Sequence, residues 1–193
     1  MSNEINSRLN KKQQLELLNI ARRTVESYLR QGKAPEFKID DQRLKRKEGA
    51  FVTLRQSGQL RGCVGQLASS DTPLWQVVRN MARAAASEDH RFEQVSESEL
   101  EEIDYEISVL SAPERISSWQ DIELGRHGVI VKKGLCSGVF LPQVAHETGW
   151  TKEEFLAQLC SEKAGLPLDC YKNDPEVELM IFTAQVFFHK TNS

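Results

Sequence analysis

The segment LRGCVG, which begins at Leu60, brings an arginine, a cysteine and two glycines close together in the chain. Glycine weakens the interior of a strand, so two of them beside a cysteine suggest that a ligand or another backbone approaches closely there. Side chains of a strand alternate between its two faces. We therefore expect Arg61 and Cys63 to share one face. The opposite face then carries Leu60, Gly62 and Val64.

This arrangement predicts nucleophilic chemistry at Cys63. A guanidinium near a thiol favours the thiolate, so Arg61 would lower the pKa of the cysteine and make its sulfur more reactive. The base that nucleophilic catalysis needs would come from His90, in the segment SEDHRF, or from His146. The alternative interpretation is structural: cysteine is among the most buried residue types, and Arg61 would then form an ordinary ion pair.

A binding site is the second functional hypothesis for the same part of the chain. Arg61 and Arg91 would hold an anionic or peptide ligand. Gln143 would contact that ligand, while Gly62 and Gly65 would leave room for it. The chain has no GxGxxG, P-loop or GxSxG motif, and its residues form no complete catalytic set. We therefore favour a binding or accessory module over a cysteine-dependent enzyme.

We expect neither a metal ion nor a cofactor. His146 and Glu147 are neighbours, but a metal site needs at least one further ligand, and the HExxH motif is absent. The chain has four cysteines: Cys63, Cys136, Cys160 and Cys170. They include no CxxC pair, and their spacing fits no zinc pattern. We predict reduced thiols and a cytoplasmic protein.

Charge argues against nucleic-acid binding as the main activity. The 193 residues include 25 Lys and Arg against 28 Asp and Glu, which gives a net charge of −3. Phosphate-backbone binding uses clustered basic residues, and the one basic cluster, at 43–47, is interpreted as a solvated loop. No apolar run is long enough to span a bilayer, and the N-terminal residues lack the apolar core of a secretory signal.

The elements that must position these residues form two similar halves. In the first half, the apolar positions of residues 13–32, including Leu15 and Leu18, predict a helix that Gly32 ends. A hairpin around Ser57 and Gly58 follows. Next come a helix in DTPLWQVVRNMARAAASED, capped by Asp71 or Thr72, and the alternating strand IDYEISVL.

The second half repeats the order of hairpin, helix and strand. GVIVKKGLCSGVFLPQV predicts a hairpin, in which Pro142 marks an edge or a bulge. A capping box of Thr151 and Glu154 starts the following helix, which Gly165 ends. VELMIFTAQVFF is the last predicted strand. We therefore predict an α+β fold with a largely antiparallel sheet. It forms a single domain over 1–193, with two intimately packed subdomains at about 10–112 and 113–190.

Five segments together resemble the AMMECR-type domain family, whose bacterial and archaeal members are the A component of the AmmeMemoRadiSam system. They are LRGCVGQL, HRF, LPQVAHETGW, FLAQLCSEKAGLP and AQVFF. The resemblance extends from roughly residue 10 to residue 188. Its central motif, Leu-Arg-Gly-Cys-(Ile/Val)-Gly, matches the segment from Leu60 to Gly65, and the second motif, Leu-Pro-Gln-Val, occurs at the expected place.

The resemblance implies a fold and partners rather than a reaction. It implies two β3α2-like repeats that form one barrel-like sheet with flanking helices. It also implies association with a Memo-type protein, which is similar to extradiol dioxygenases, and with a radical S-adenosylmethionine enzyme. No established activity comes with the family. The expected function is thus that of an accessory component, with catalysis by Cys63 as the alternative.

Overall fold

The chain forms two compact units in this computed structural model, which describes residues 8–67 and 71–189. The first unit contains the described residues up to Leu110 together with Gln185–His189. The second unit contains Ser111–Ala184. Within the described part of the chain, no helix combines the length and the apolar character needed to cross a membrane.

Helix α1 (Lys11–Gln31) opens the first unit and confirms the helix predicted from the sequence. Asn10 and Gln13 form a capping box at its start, and Gly32 ends it with a φ of 70°, a conformation that glycine adopts without strain. The buried face is rotated from the predicted one, because Leu15 is 51% exposed. The residues that α1 buries are Leu17, Leu18, Ile20, Ala21, Thr24 and Val25.

Strands β1 (Ala50–Gln56) and β2 (Gln59–Gln66) form the predicted antiparallel hairpin. Ser57 and Gly58 at its turn have φ values of 52° and 79°. Positive φ at both central residues matches the right-handed twist of the two strands, which explains why a two-residue turn suffices. Strand β3 (Ile103–Leu110) pairs antiparallel with the other side of β1. The hairpin and the strand that the sequence predicted are confirmed.

Helix α2 (Leu74–Ser87) packs with α1 against one face of this sheet. The N-cap residue of α2 is Pro73, which makes no side-chain cap hydrogen bond, and not Asp71 or Thr72 as predicted. Its first two N–H groups donate instead to the main-chain carbonyls of Arg46 and Leu44, at 2.8 and 3.1 Å. Main-chain partners thus satisfy the helix start that a side chain was expected to cap.

Both units contain the same arrangement of strands. The second unit has β4 (Glu114–Ile116), β5 (Gly128–Lys133), β6 (Cys136–Phe140) and β7 (Glu178–Phe182), in the order β4-β7-β5-β6. With β8 (Ala184–His189), the first sheet has the order β2-β1-β3-β8. In the first sheet β1 lies between its hairpin partner β2 and the later strand β3. In the second sheet β5 lies in the same way between its hairpin partner β6 and the later strand β7.

The structure corrects two expectations about the strands. The described strands form two separate four-stranded antiparallel sheets, and neither closes into a barrel, so the α+β class is confirmed but the barrel-like sheet is not. The single strand expected at VELMIFTAQVFF is two strands, β7 and β8, interrupted at Thr183. They belong to different sheets, and a local pattern of apolar residues does not reveal such a division.

Short helices complete the second unit. They are a 3-10 turn at Trp119–Asp121, α3 (Pro142–Thr148), α4 (Lys152–Gln158), a π-helical turn at Leu159–Lys163 and α5 (Cys170–Asn173). Thr151 and Glu154 form the predicted capping box at the start of α4. Proline at the first position of α3 lacks an N–H group that the helix could not have used. It therefore starts a helix and marks no bulge, but it follows β6, which lies at an edge of the second sheet, so the edge alternative holds.

A disulfide joins Cys160, in the π-helical turn, to Cys170, at the start of α5. Both cysteines are buried in the core of the second unit. Cys63 and Cys136 are free. The expectation of four reduced thiols is therefore wrong for one pair. Sequence spacing could not identify the pair, because a disulfide depends on how the intervening residues fold back.

We predict that the protein, isolated and denatured without reductant, gives two thiols per chain with Ellman's reagent, because only Cys63 and Cys136 are free. Reduction before the assay should raise the count to the four cysteines of the sequence. Non-reducing peptide mass mapping should recover the peptides of Cys160 and Cys170 joined. Four thiols without reductant would contradict the pairing.

Candidate functional site

Strand β2 contains a β-bulge at Arg61. Leu54 of β1 pairs with Gly62, and the next residue, Arg55, pairs with Leu60, so Arg61 has no partner of its own on β1. Such an extra residue interrupts the alternation of side chains. Since cross-strand partners share a face, Leu60 lies on the face of Arg55.

The bulge changes which residues accompany Cys63. Cys63 pairs with Thr53, which lies two residues from Arg55 along β1 and so shares its face. Leu60 therefore projects from the same face as Cys63, although unbroken alternation placed the two on opposite faces. We call this surface the Cys63 face: it is the side of the first sheet that points away from α1 and α2. Glu106 of β3, the second partner of Thr53, also belongs to it.

The two glycines of the motif have close neighbours within the protein. A Cβ atom at Gly62 would overlap the carbonyl oxygen of Ala85 in α2, so glycine lets the strand approach the helix backbone. A Cβ atom at Gly65 would overlap the ring of Phe51, its partner on β1. Both positions thus have a packing reason for glycine, whether or not a ligand also approaches them.

The guanidinium of Arg61 joins β2 to the segment after α2. Its Nε and Nη2 donate to the two carboxylate oxygens of Glu99 at 2.7 and 3.2 Å. Nη1 donates to the carbonyl of Glu93 at 2.8 Å, and Nη2 to that of Gln94 at 3.3 Å. This ion pair lowers the pKa of Glu99 to about 2. The contacts resemble the ion pair of the structural interpretation more than the activation of a thiol.

Asp89 and Arg91 bind the main chain of Cys63. β2 is an edge strand, so the N–H and C=O groups that point outward from Cys63 have no strand partner. The N–H donates to Asp89 Oδ2 at 2.8 Å, and Arg91 Nη2 donates to the carbonyl at 3.3 Å. Arg91 also bonds to both oxygens of Asp89, at 2.9 and 2.7 Å, and lowers the pKa of that carboxyl to about 2.

The thiol of Cys63 is a weak nucleophile in this setting. Burial raises its pKa above the ordinary value, against an opposing effect of the Thr53 hydroxyl, which donates to the sulfur at 3.3 Å. Among the nearby charges, Arg91 lowers the pKa, and Asp89 and Glu106 raise it. The cation that acts on the thiol is therefore Arg91 rather than Arg61. The sequence predicted a lowered pKa and a thiolate at Cys63, whereas the structure raises the pKa.

The remaining predicted residues lie in different parts of the chain. His90 is exposed, directly after Asp89. Gln143 lies in α3 of the second unit, so its place in the same site stays a prediction. His146, also in α3, has its imidazole beside Gly125. Among the described residues, no group of three or more His, Cys, Asp or Glu side chains could hold a metal ion.

Sequence reasoning missed the roles of Thr53, Asp89 and Glu99. Asp89 belongs to the charged segment SEDHRF, and only the fold reveals that it faces an edge strand. Thr53 contacts Cys63 because their antiparallel pairing places them opposite each other. Counting residue pairs outward from the hairpin turn is the way to predict the partner of Cys63 from the sequence. The bulge lies between the turn and Cys63 and shifts the register by one residue, so this count misses Thr53.

We predict that Cys63 is alkylated by iodoacetamide more slowly than the exposed Cys136 near neutral pH. Because burial raises its pKa, the rate at Cys63 should still be increasing with pH above about 8.5, where the rate of an ordinary cysteine begins to level off. Peptide mass spectrometry across a pH series measures both rates in one sample, with Cys136 as the internal control. A faster reaction at Cys63, with an apparent pKa below about 8, would instead favour the cysteine-dependent enzyme.

Asp89→Asn should lower the free energy of unfolding near neutral pH and make that free energy less dependent on pH in the acid range. A carboxyl whose pKa is about 2 in the folded chain and about 3.9 when unfolded stabilises the fold above the unfolded value. That contribution is lost as pH falls toward 2. Since Arg91 is 57% exposed, solvent screening reduces the expected loss to about 1 kcal/mol.

Urea denaturation from pH 7 to pH 2 tests this effect. Glu123→Gln is the matched control, because Glu123 pairs with Arg126 on an exposed surface and should matter less. Equal stability of Asp89→Asn and the unmodified protein at pH 7 would show that Asp89 does not hold the edge of β2.

The chain is similar to several proteins of known sequence and structure. The AMMECR1 family model matches residues 18–187. A protein of Nanoarchaeum equitans is 40% identical over 183 residues, 90% of this chain and 98% of that protein. One from Methanopyrus kandleri is 42% identical over 180 residues, 89% of this chain and 86% of that protein. The crystal structure of an uncharacterized protein from Pyrococcus horikoshii matches with a TM-score of 0.84 and 39% identity, over 90% of each chain. The chain therefore belongs to the AMMECR1 family.

Proposed function

We propose that this protein is a binding component that acts with a Memo-type protein and a radical S-adenosylmethionine enzyme in the cytoplasm. In this proposal it docks on a partner through the Cys63 face. The partners come from the resemblance of the sequence motifs. The observation that carries the binding role is that the charged groups around Cys63 bind main-chain atoms, while burial raises the pKa of its thiol.

The composition of the Cys63 face supports docking of a protein. On the edge strand β8, Phe187 is buried in the core with the helices, so its neighbours Val186 and Phe188 project toward the Cys63 face. They are 42% and 65% exposed. A hollow of about 200 Å³ lies beside Phe188 and is lined by Arg55 and Glu106, among others.

Exposed apolar residues next to charged ones are typical of protein interfaces, in which an aromatic side chain often provides the anchor. Phe188 has the exposure and the position for such an anchor. Arg55 and Glu106 form an ion pair, with Nε and Oε2 3.7 Å apart, and would contribute a polar rim. The cysteine-dependent enzyme remains the alternative, but the raised pKa of Cys63 speaks against it.

Calorimetric titration with the purified Memo-type and radical enzymes of the same organism tests the proposal. Phe188→Ala should weaken binding at least about tenfold, as expected when an aromatic anchor is truncated. Leu135→Ala is the matched control, because Leu135 is fully exposed at the turn of the second hairpin. Absence of binding to both enzymes would contradict the partnership, and equal affinity of Phe188→Ala would contradict the docking face.

A further inference from the structure

The second unit contains an open cavity of about 430 Å³, away from the residues discussed above. Residues 116–120, the last residue of β4 and the four that follow it, form one side of it. The other side comes from α5, β7 and the chain between them, through Tyr171, Lys172, Asp174, Pro175, Val177 and Leu179. This volume lies within the range of sites that hold small molecules.

Two aromatic side chains form one wall of the cavity. The rings of Trp119 and Tyr171 meet edge to face, with 5.5 Å between their centroids and an angle of 82°. Tyr171 is buried, so its position is fixed, whereas Trp119 is half-buried and offers part of its ring to the cavity. Ile116 and Leu179, paired across β4 and β7, add apolar surface. A flat aromatic ring is the group that packs well against such a wall.

The charge of the cavity favours an anion. Among its described lining residues, the charged ones are Lys172 and Asp174. Asp174 is occupied within the protein: one carboxylate oxygen accepts from Lys133 at 2.6 Å, and the other accepts the N–H of Glu176. Lys133 is shared with the carboxylate of Glu176, 3.1 Å away. The ammonium of Lys172 lies 5.6 Å from the centroid of the Tyr171 ring, on an exposed side chain. Its positive charge is therefore next to the aromatic wall and is accessible to a ligand.

A disulfide on one side and a hydrogen bond on the other make the aromatic wall rigid. The disulfide of Cys170 immediately precedes Tyr171 and anchors α5 in the core. On the opposite side, Lys152 donates to the carbonyl of Gln120 at 2.9 Å, with its ammonium 6.0 Å from the centroid of the Trp119 ring. A wall that is already ordered binds a ligand without the entropic cost of ordering it.

We propose that this cavity binds a small molecule that has a flat aromatic ring and an anionic group such as a carboxylate. The ring would pack against Trp119 and Tyr171, and the anionic group would pair with Lys172. The site is independent of the docking function assigned to the first unit. No covalent step is part of the proposal.

Fluorine NMR of the full chain labelled with 5-fluorotryptophan tests the site, because the three tryptophans give three signals and Trp119→Phe assigns one of them. The probes are 2-naphthoate, which is flat and anionic, 2-naphthylmethanol, which is flat and neutral, and cyclohexanecarboxylate, which is anionic but not flat. We expect 2-naphthoate to shift the Trp119 signal at millimolar concentration and the other two to bind at least about fivefold more weakly.

Lys172→Gln should weaken the binding of 2-naphthoate about fivefold and leave 2-naphthylmethanol unchanged. The matched control is Lys163→Gln, since Lys163 lies 5.8 Å from the ring centroid of Phe140 in the same unit but does not line the cavity. No shift of the Trp119 signal would overturn the site. Equal binding of 2-naphthoate by Lys172→Gln, or equal binding of the two flat probes, would overturn the anionic ligand class.

Discussion

The outer edge of β2 is the constraint on which the candidate site depends. An edge strand exposes N–H and C=O groups that must find partners, or another chain can pair with them. Here side chains provide those partners: Asp89 and Arg91 bind the main chain of Cys63, while Arg61 reaches the segment after α2. The charged groups that resemble a catalytic cluster in the sequence therefore hold the edge of a sheet, and burial raises the pKa of the thiol despite the opposing effect of Arg91.

A second constraint is the close approach of each hairpin to the helices that follow it. Gly62 of β2 pairs with the residue of β1 that lies three positions before the turn of the first hairpin. Gly138 of β6 pairs with the residue of β5 that lies three positions before the turn of the second hairpin. A Cβ atom at Gly62 would overlap the backbone of Ala85, and one at Gly138 would lie 2.7 Å from the Cβ of Lys163. The two units thus share a packing solution as well as a strand order. They differ at Arg61, the bulge residue, which has no counterpart in the uninterrupted pairing of β6.

That difference connects the fold with function. The bulge adds one residue to β2, turns Arg61 toward Glu99 and brings Leu60 onto the Cys63 face. Bulges often occur next to functional sites because they redirect side chains at a sheet edge. In the first unit the result is a surface with an ion pair, exposed apolar residues and a thiol whose pKa is raised by burial, which suits recognition better than covalent catalysis. The second unit has no such bulge in β6. Its cavity of about 430 Å³ lies beside β4, the strand at the edge of the sheet opposite β6.

The sequence by itself determined the features that depend on neighbouring residues. The hairpin turn at Ser57 and Gly58, the end of α1 at Gly32 and the alternation in β3 are local, because backbone preference and side-chain period fix them within one element. The family motif was also readable, since it is a short run of residues.

The tertiary structure alone decided the rest. The bulge at Arg61, the partners of Asp89, the division of the last strand between two sheets and the disulfide of Cys160 all join residues that are distant in the chain. The pKa of Cys63 belongs with them, because burial and nearby charges come from several elements at once. A sequence pattern describes one element at a time, whereas the chemistry of this site depends on how the elements pack.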